Sequence, residues 1–480
     1  MRPCPLALGL ALCLAGASAA QQPLDPERQQ AYDHALRDWG RTIGLLGYVY
    51  GTPLLELSIA EYRQTQGLER DLSGPRGMLA HAHSGRLPTH ATSWLPAPDP
   101  DLLTSSAWLD VEQQPYVLFI PPMDGHWYGV QLQDSFTNDV GYVSSRTAGS
   151  VGGWYLLAHE SFAGERPETL TGEIRIPTSV GWLLIRIAAT QRSEADIHTR
   201  YQARFKLLPL SVYARNPKAA ALAQPRPGPG TAPVPRATAE MRGSLDAFRV
   251  INQKLRGLDA PAGEQALLAL FDRAGFGPSV EFDPANLPAP LLDGLRSAAR
   301  DGQRQIHELP LEVSEARSAW SRAPAALGAF GNDYLLRAIS AAAGLGAEIP
   351  AETLRASTAL DGDGRRLDGR IDYRIRFRPD QLPPAKAFWS IAPYARASRR
   401  LMTTDTQRYS IGSKTEGLRY EPDGSLELWI SSDEPEDPAR RANWLPVRLE
   451  PFFLVARLHE PLPAALDGSY AWPPVVPADD

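Results

Sequence analysis

The chain has 480 residues, a formal net charge of −6, 43% hydrophobic residues and two cysteines. The negative balance argues against a nucleic-acid partner, since such proteins carry a basic face. The length allows two to three domains, and 44 prolines and 39 glycines set between short apolar runs point to sheets and turns rather than a helical bundle.

In chain order, residues 1–19 read as a cleaved signal peptide. Arg2 gives a positive start, residues 6–15 an apolar run, and Ala17-Ser18-Ala19 the small residues a signal peptidase reads. The apolar run is too short to span a bilayer, which takes about 20 residues, and no later stretch reads as long enough. Leu12, before Cys13, is not the small residue a lipid-anchor signal needs. Cys4 and Cys13 leave with the leader, so the mature chain is expected to have no disulfide and no cysteine-bound metal. The expected location is periplasmic or secreted.

Residues 20–54 predict an N-terminal helical segment. Tyr32, Leu36, Trp39, Ile43 and Leu46 share helical spacing, and the helix is expected over 26–47. Residues 55–215 predict a β-sandwich. Residues 116–120 form a buried-strand run. Next, Tyr128, Val130 and Leu132 alternate with Gly129, Gln131 and Gln133, which predicts a strand with one dry and one wet face. The turn residues 121–125 between them predict an antiparallel hairpin. Residues 174–176 and 182–187 continue the pattern.

Residues 216–240, with Pro-Arg-Pro-Gly-Pro-Gly at 225–230, predict an extended linker. Residues 241–350 predict helices: one stripe of Leu245, Phe248, Ile251 and Leu255, a second of Leu267, Leu270, Phe271 and Ala274, and two more over 290–307 and 327–345. Strands return in 351–480, where Tyr373, Ile375 and Phe377, and then Leu426, Leu428 and Ile430, alternate with polar residues. A run at 452–458 follows. These predict a second, jelly-roll-like sandwich. The expected fold class is mainly β with helical segments.

Ordered motifs carry a resemblance. Residues 47–54, 105–110, 127–128, 134–138 and 146–149, then Pro177-Thr178, Trp182 and Arg186, resemble domain of unknown function 1254. Residues 364–369, 382–384, 388–390, 408–412, 423–426, 443–446 and 472–474 resemble domain of unknown function 1214. The resemblance implies an exported bacterial protein with a β-sandwich, a helical part and a jelly roll, and no settled activity. Two departures stand out. Where the family pattern has Asn-x-Asp-Thr-x-Tyr, Asp101 is kept but Leu102 and Thr104 replace Thr and Tyr. His126 replaces an Arg before the aromatic pair.

Familiar catalytic motifs are absent from the sequence. No Ser sits in G-x-S-x-G, and His159-Glu160 and His307-Glu308 each lack the second His of H-E-x-x-H. Asp361-Gly362-Asp363-Gly364 opens like a calcium loop, but Arg365 takes the third ligand position, so a β-turn is expected. His81 and His83 share a face if they lie on a strand, which makes them the one metal candidate, against solvated loop histidines. No cofactor is expected.

Asp134, Asn138 and Arg146 are the leading ligand-binding candidates, because they fall in a Ser/Thr/Gly-rich loop past an amphipathic strand. Arg146 could fork onto a carboxylate or phosphate, or pair with Asp134 or Asp139 and pin the loop. Trp108 reads as buried, whereas Trp444 reads as exposed in a loop and able to stack on a sugar. Arg408 joins this set, with packing and function not separable for Arg408-Tyr409. Asp110 and Asp134 are the carboxylate pair to try for acid/base hydrolysis. The leading expectation is a binding or accessory protein with a cleft between two sandwiches for a small polar ligand, such as a saccharide or another envelope component. The alternatives are an envelope hydrolase and a structural or assembly protein.

Overall fold

A computed structural model describes residues 25–69, 72–81, 85–94, 96–217, 234–258, 263–311, 313–314 and 319–478. The leader, most of the Pro-rich linker and His83 lie outside these residues.

The chain opens with one long helix, Pro26–Thr65, capped by Asp25, whose side chain accepts the N–H of Arg28. It runs past the expected end near residue 47 and takes in residues 55–65, which the pattern gave to the sandwich. Pro53 withholds the N–H that would reach Val49. The helix survives because Tyr50, Leu54, Leu55, Leu57 and Ile59 are all buried, so tertiary packing outweighs the lost hydrogen bond. It is also long and apolar enough to cross a bilayer, contrary to the reading of residues beyond the leader, yet 78% of that stretch is buried within the protein.

This helix packs along the Ala289–Glu308 helix, with Leu245–Leu255, Gln265–Arg273 and Tyr334–Ala343 completing one helical body around a single apolar core. The contact is close because of its glycines: a Cβ on Gly40 would come within 2.5 Å of the Leu291 carbonyl oxygen, and one on Gly294 within 2.3 Å of that of Arg37. The last of these helices is shorter than expected. It begins at Tyr334 after a string of turns and ends at Gly344.

The N-terminal sandwich has a five-stranded sheet and a four-stranded sheet. The first runs in spatial order Ala80–His81, Leu102–Asp110, Val180–Ala188, Tyr128–Gln133, Asp139–Ser144, and the second Gly172–Ile176, Gly153–His159, Tyr116–Ile120, Lys206–Pro209. The expected hairpin does not form. Tyr116–Ile120 pairs with Gly153–His159 and Lys206–Pro209, and Tyr128–Gln133 pairs with Val180–Ala188 and Asp139–Ser144. Pro121 and Pro122 interrupt the ladder, and the chain crosses from one sheet to the other before residue 128. Leu103, Val130, Leu132, Leu183 and Ile185 share the core between the sheets with Leu118 and Leu157.

The C-terminal sandwich stacks a six-stranded sheet, including Thr353–Thr358, Phe452–Pro461 and Ala385–Ala395, on a four-stranded sheet centred on Leu426–Ser431 and Tyr373–Phe377. The alternation read at 373–377 and 426–430 points its apolar residues inward as expected. The turns at Asp361 and Asp423 are closed by their own carboxylates, which accept the N–H of Asp363 and Arg365, and of Ser425.

The outer face of the five-stranded sheet has no wet side. Gln131 and Gln133 are buried with Thr104, Ser106 and Arg186, because the helical body and the C-terminal sandwich cover that face. Near the helix end, Gln64 accepts hydrogen bonds from Ser106 and Trp108, and Trp108 stacks on Trp182 at 5.1 Å. Toward the C-terminal sandwich, Arg186 donates to Gln131 and to the Gly346 carbonyl, and Gln131 donates to Asp139. Polar side chains here form a layer inside the protein.

Candidate functional site

The sequence-nominated loop is closed on itself. Asp134 is 4% exposed. Its Oδ1 accepts the N–H of Phe136 at 2.8 Å and of Asn138 at 2.9 Å, and its Oδ2 accepts the Asn138 amide at 2.9 Å. Burial pushes its carboxyl pKa up, and the hydrogen bonds oppose that rise. The void beside it is about 10 Å³, at or below what one water needs. Arg146 pairs with neither Asp134 nor Asp139. It reaches the C-terminal sandwich and donates to Glu352 through Nε at 2.9 Å and a terminal nitrogen at 2.5 Å. Asp110 takes Arg76 at 3.3 Å, and Arg76 also holds Glu61. The nominated carboxylates are therefore each satisfied by separate partners.

A larger opening lies at the other end of the same sheet. A cleft of about 730 Å³ lies between the loop before Leu102–Asp110 and the edge of the six-stranded sheet, within the size range of small-molecule sites. Its wall includes His90, Asp101, Trp389, Tyr409, Ser410 and Lys414. The elements that place them are paired strands: Trp389 and Ser390 belong to Ala385–Ala395, and Ser410 leads into Ile411–Gly412, which pairs with Ser390 and Ile391. Ser410 donates to Asp101 Oδ1 at 2.6 Å. Asp101 Oδ2 and the Ser390 hydroxyl are enclosed without a formed hydrogen bond. The Lys414 ammonium lies 4.5 Å from the Phe388 ring centre, and desolvation lowers its pKa while Asp101 works in the opposite direction.

Directly beneath sits a buried charge cluster. Asp99 Oδ2 lies 3.3 Å from His459 Nε2 and 3.5 Å from Arg457. Arg457 donates to Tyr394 and to the Ala97 carbonyl, which ties the 97–101 loop to the C-terminal sheet. His459 is fully buried; its Nδ1 is 3.1 Å from the Thr353 hydroxyl, which donates to Glu348. Burial disfavours the Asp99 anion, but Arg457 and His459 overcome this and hold its pKa at about 2. Asp101 goes the other way: burial raises its pKa, the neighbouring Asp99 charge raises it further, and Ser390 and Ser410 only partly offset them. Two carboxyls two residues apart are thus driven in opposite directions.

The remaining candidates divide. Trp444 is 6% exposed, not an exposed loop residue as expected, because its indole N–H is tied to the Ser431 carbonyl and the residue begins a short strand parallel to Leu426–Ser431. It still borders the cleft, as does Arg408, whose guanidinium donates to the carbonyls of Arg441, Ala442 and Trp444. His90 also borders it, 3.0 Å from the Tyr409 hydroxyl. His81 ends the two-residue edge strand Ala80–His81, opposite Ser105, His83 lies outside the described residues, and among the described residues no three His, Cys, Asp or Glu side chains are grouped to hold a metal. Of the departures, Leu102 packs with Trp127, Ala188 and Phe388 at the junction of the two sandwiches, Thr104 is buried, and His126 lies 4.8 Å from Tyr201. The sequence did mark Asp101, as the kept residue of a broken pattern, and Ser410, within the 408–412 motif, but gave no sign that the two pair or that Asp99 stands beside them.

Two family models match, both described as Protein of unknown function: DUF1254 over residues 78–209 and DUF1214 over residues 352–463. No curated protein matches the chain. Among solved structures, the VPA0106 protein from Vibrio parahaemolyticus is 21% identical with a TM-score of 0.68, covering 92% of this chain and 100% of that one. A putative uncharacterized protein from Burkholderia cenocepacia is 13% identical with a TM-score of 0.42, covering 94% of this chain and 96% of its own. The first likeness shows a shared fold. The chain therefore carries a DUF1254 domain at residues 78–209 and a DUF1214 domain at residues 352–463, both of unknown function.

Proposed function

We propose that this is an exported protein that binds a small polar ligand in the cleft between its two sandwiches. The observation that carries the reading is the cleft itself, about 730 Å³ and walled by Asp101, Ser410 and Lys414 from both sandwiches. Its size falls in the range of small-molecule sites, and its wall offers both donors and acceptors. The leader read at residues 1–19 supports action in the periplasm or outside the cell.

The cleft favours polar contacts over ring stacking. Phe388 has His459 stacked at 4.0 Å and Lys414 over its ring at 4.5 Å. Trp389 and Trp444 are both nearly buried. The ligand is therefore one rich in hydroxyl or carboxylate oxygens, held by Lys414 and by the hydroxyls along the wall. A thermal-shift screen of the purified protein against saccharides, sugar acids and hydroxy acids tests this. A true ligand at about 100 times its Kd stabilises by about 2.7 kcal/mol, and Lys414→Ala loses most of that shift. Equal stabilisation of wild type and Lys414→Ala, or none by any member, rejects the cleft as the site.

A further inference from the structure

We propose that the cleft is also catalytic, with Ser410 as a nucleophile and Asp101 as its general base, acting on a small polar ester or amide. The inference rests on the cleft reading above and extends it from holding a ligand to cleaving one. Its basis is geometric. A nucleophilic hydroxyl must reach a base within hydrogen-bond distance, and the base must be oriented by a third group. Ser410 borders the cleft and donates to Asp101 Oδ1 at 2.6 Å. Asp101 is fixed by its own N–H to Asp99 Oδ1 at 3.0 Å, with Ser390 beside it. Asp99 in turn is held by Arg457 and His459.

The charges suit the task. An ordinary carboxylate is a weak base for a hydroxyl, and burial together with the Asp99 charge strengthens Asp101. The charged groups acting on Asp101 are Asp99 from its own loop, Arg457 and His459 from Phe452–Pro461, and Lys414 from the segment after Ile411–Gly412. Asp99 is a positioning residue: it touches no substrate and acts through Asp101.

In the step itself, the Ser410 O–H bond breaks as its oxygen bonds to the acyl carbon, and the proton passes to Asp101. The carbonyl π pair moves onto its oxygen, in a cleft that the Lys414 cation also lines. On collapse, the bond to the leaving group breaks and Asp101 returns the proton to that group. Water then attacks the acyl-serine by the same exchange and releases the acid and free Ser410.

A fluorophosphonate probe tests this without knowledge of the natural substrate. Wild type, shown folded by circular dichroism, is expected to form an adduct that peptide mass spectrometry maps to Ser410. Ser410→Ala loses that adduct, and Asp101→Asn slows its formation about 100-fold or more. The wild-type rate rises with pH through the Asp101 titration, and Asp99→Asn moves that rise to lower pH, which a merely structural Asp99 would not do. No adduct on folded wild type, or labelling unchanged in Ser410→Ala, overturns the nucleophile. If a screened ligand still stabilises the protein in that event, the binding reading stands alone. An adduct at Ser410 with no ligand stabilisation has the opposite meaning.

Discussion

Two aspartate-bearing segments sit at opposite ends of one sheet, and they differ in how completely they are satisfied. Asp134 follows Tyr128–Gln133 and accepts three hydrogen bonds from its own turn. Asp101 precedes Leu102–Asp110, accepts one from Ser410, and has a second oxygen that forms no hydrogen bond, with Ser390 beside it at the edge of an open cleft. In sequence the first looks more functional, since it lies in a loop of Ser, Thr and Gly. In the fold the N–H groups of Phe136 and Asn138 and the Asn138 amide close the loop on Asp134. A carboxyl is available for chemistry when its surroundings leave something undone, and that is a property of distant residues.

The comparison can be broken by mutation. The largest effect is expected at the support of the open end. Arg457→Ala leaves Asp99 buried without its cation and should cost about 3–5 kcal/mol in urea denaturation. Next, Asp134→Ala strands the N–H groups of Phe136 and Asn138 and should cost about 2 kcal/mol, with the ligand-induced thermal shift unchanged. If Asp134→Ala abolished that shift and Asp101→Asn spared it, the assignment of the two ends would be reversed.

A pH effect of intermediate size is expected at Asp139, whose pKa burial lifts to about 8 against the hydrogen bonds of Gln131, Gln133 and Tyr142. The fold favours its protonated form. That stability is complete below the unfolded value of about 4 and is lost as pH rises through 8. The wild-type advantage over Asp139→Asn should therefore fall by up to about 1.4 kcal/mol per pH unit across this window, measured as the difference of two denaturation series. A flat difference would mean that Asp139 is ionised in the folded protein. The smallest effect is Trp444→Phe, which loses the bond to Ser431 and should cost about 1 kcal/mol.

Much of the secondary structure was legible because periodicity is local. The strands at 116–120, 373–377 and 426–430 and the helices beginning near 245, 265 and 289 lie where their apolar spacing put them. What failed was partnership. The alternation at 128–133 gave a strand, but a glutamine facing Arg186 has the same spacing as one facing water. The helix expected to end near residue 47 runs on through Pro53 because the residues on both sides of it are buried, which the spacing does not tell. The Pro121-Pro122 turn reads as a hairpin unless the second sheet is known. The site shared this weakness: Asp101 and Ser410 are 309 residues apart in sequence.

The polar layer on the outer face of the five-stranded sheet has a practical bearing on dissection. A fragment cut to the first sandwich would expose Gln131, Arg186 and Arg146 without Glu352 to answer them. An interface built from charged and amide groups holds weakly between separate chains, and joining both halves in one polypeptide supplies the high effective concentration it needs. Separately produced halves should therefore recombine poorly, and experiments on the isolated domains would describe two new surfaces instead of this protein.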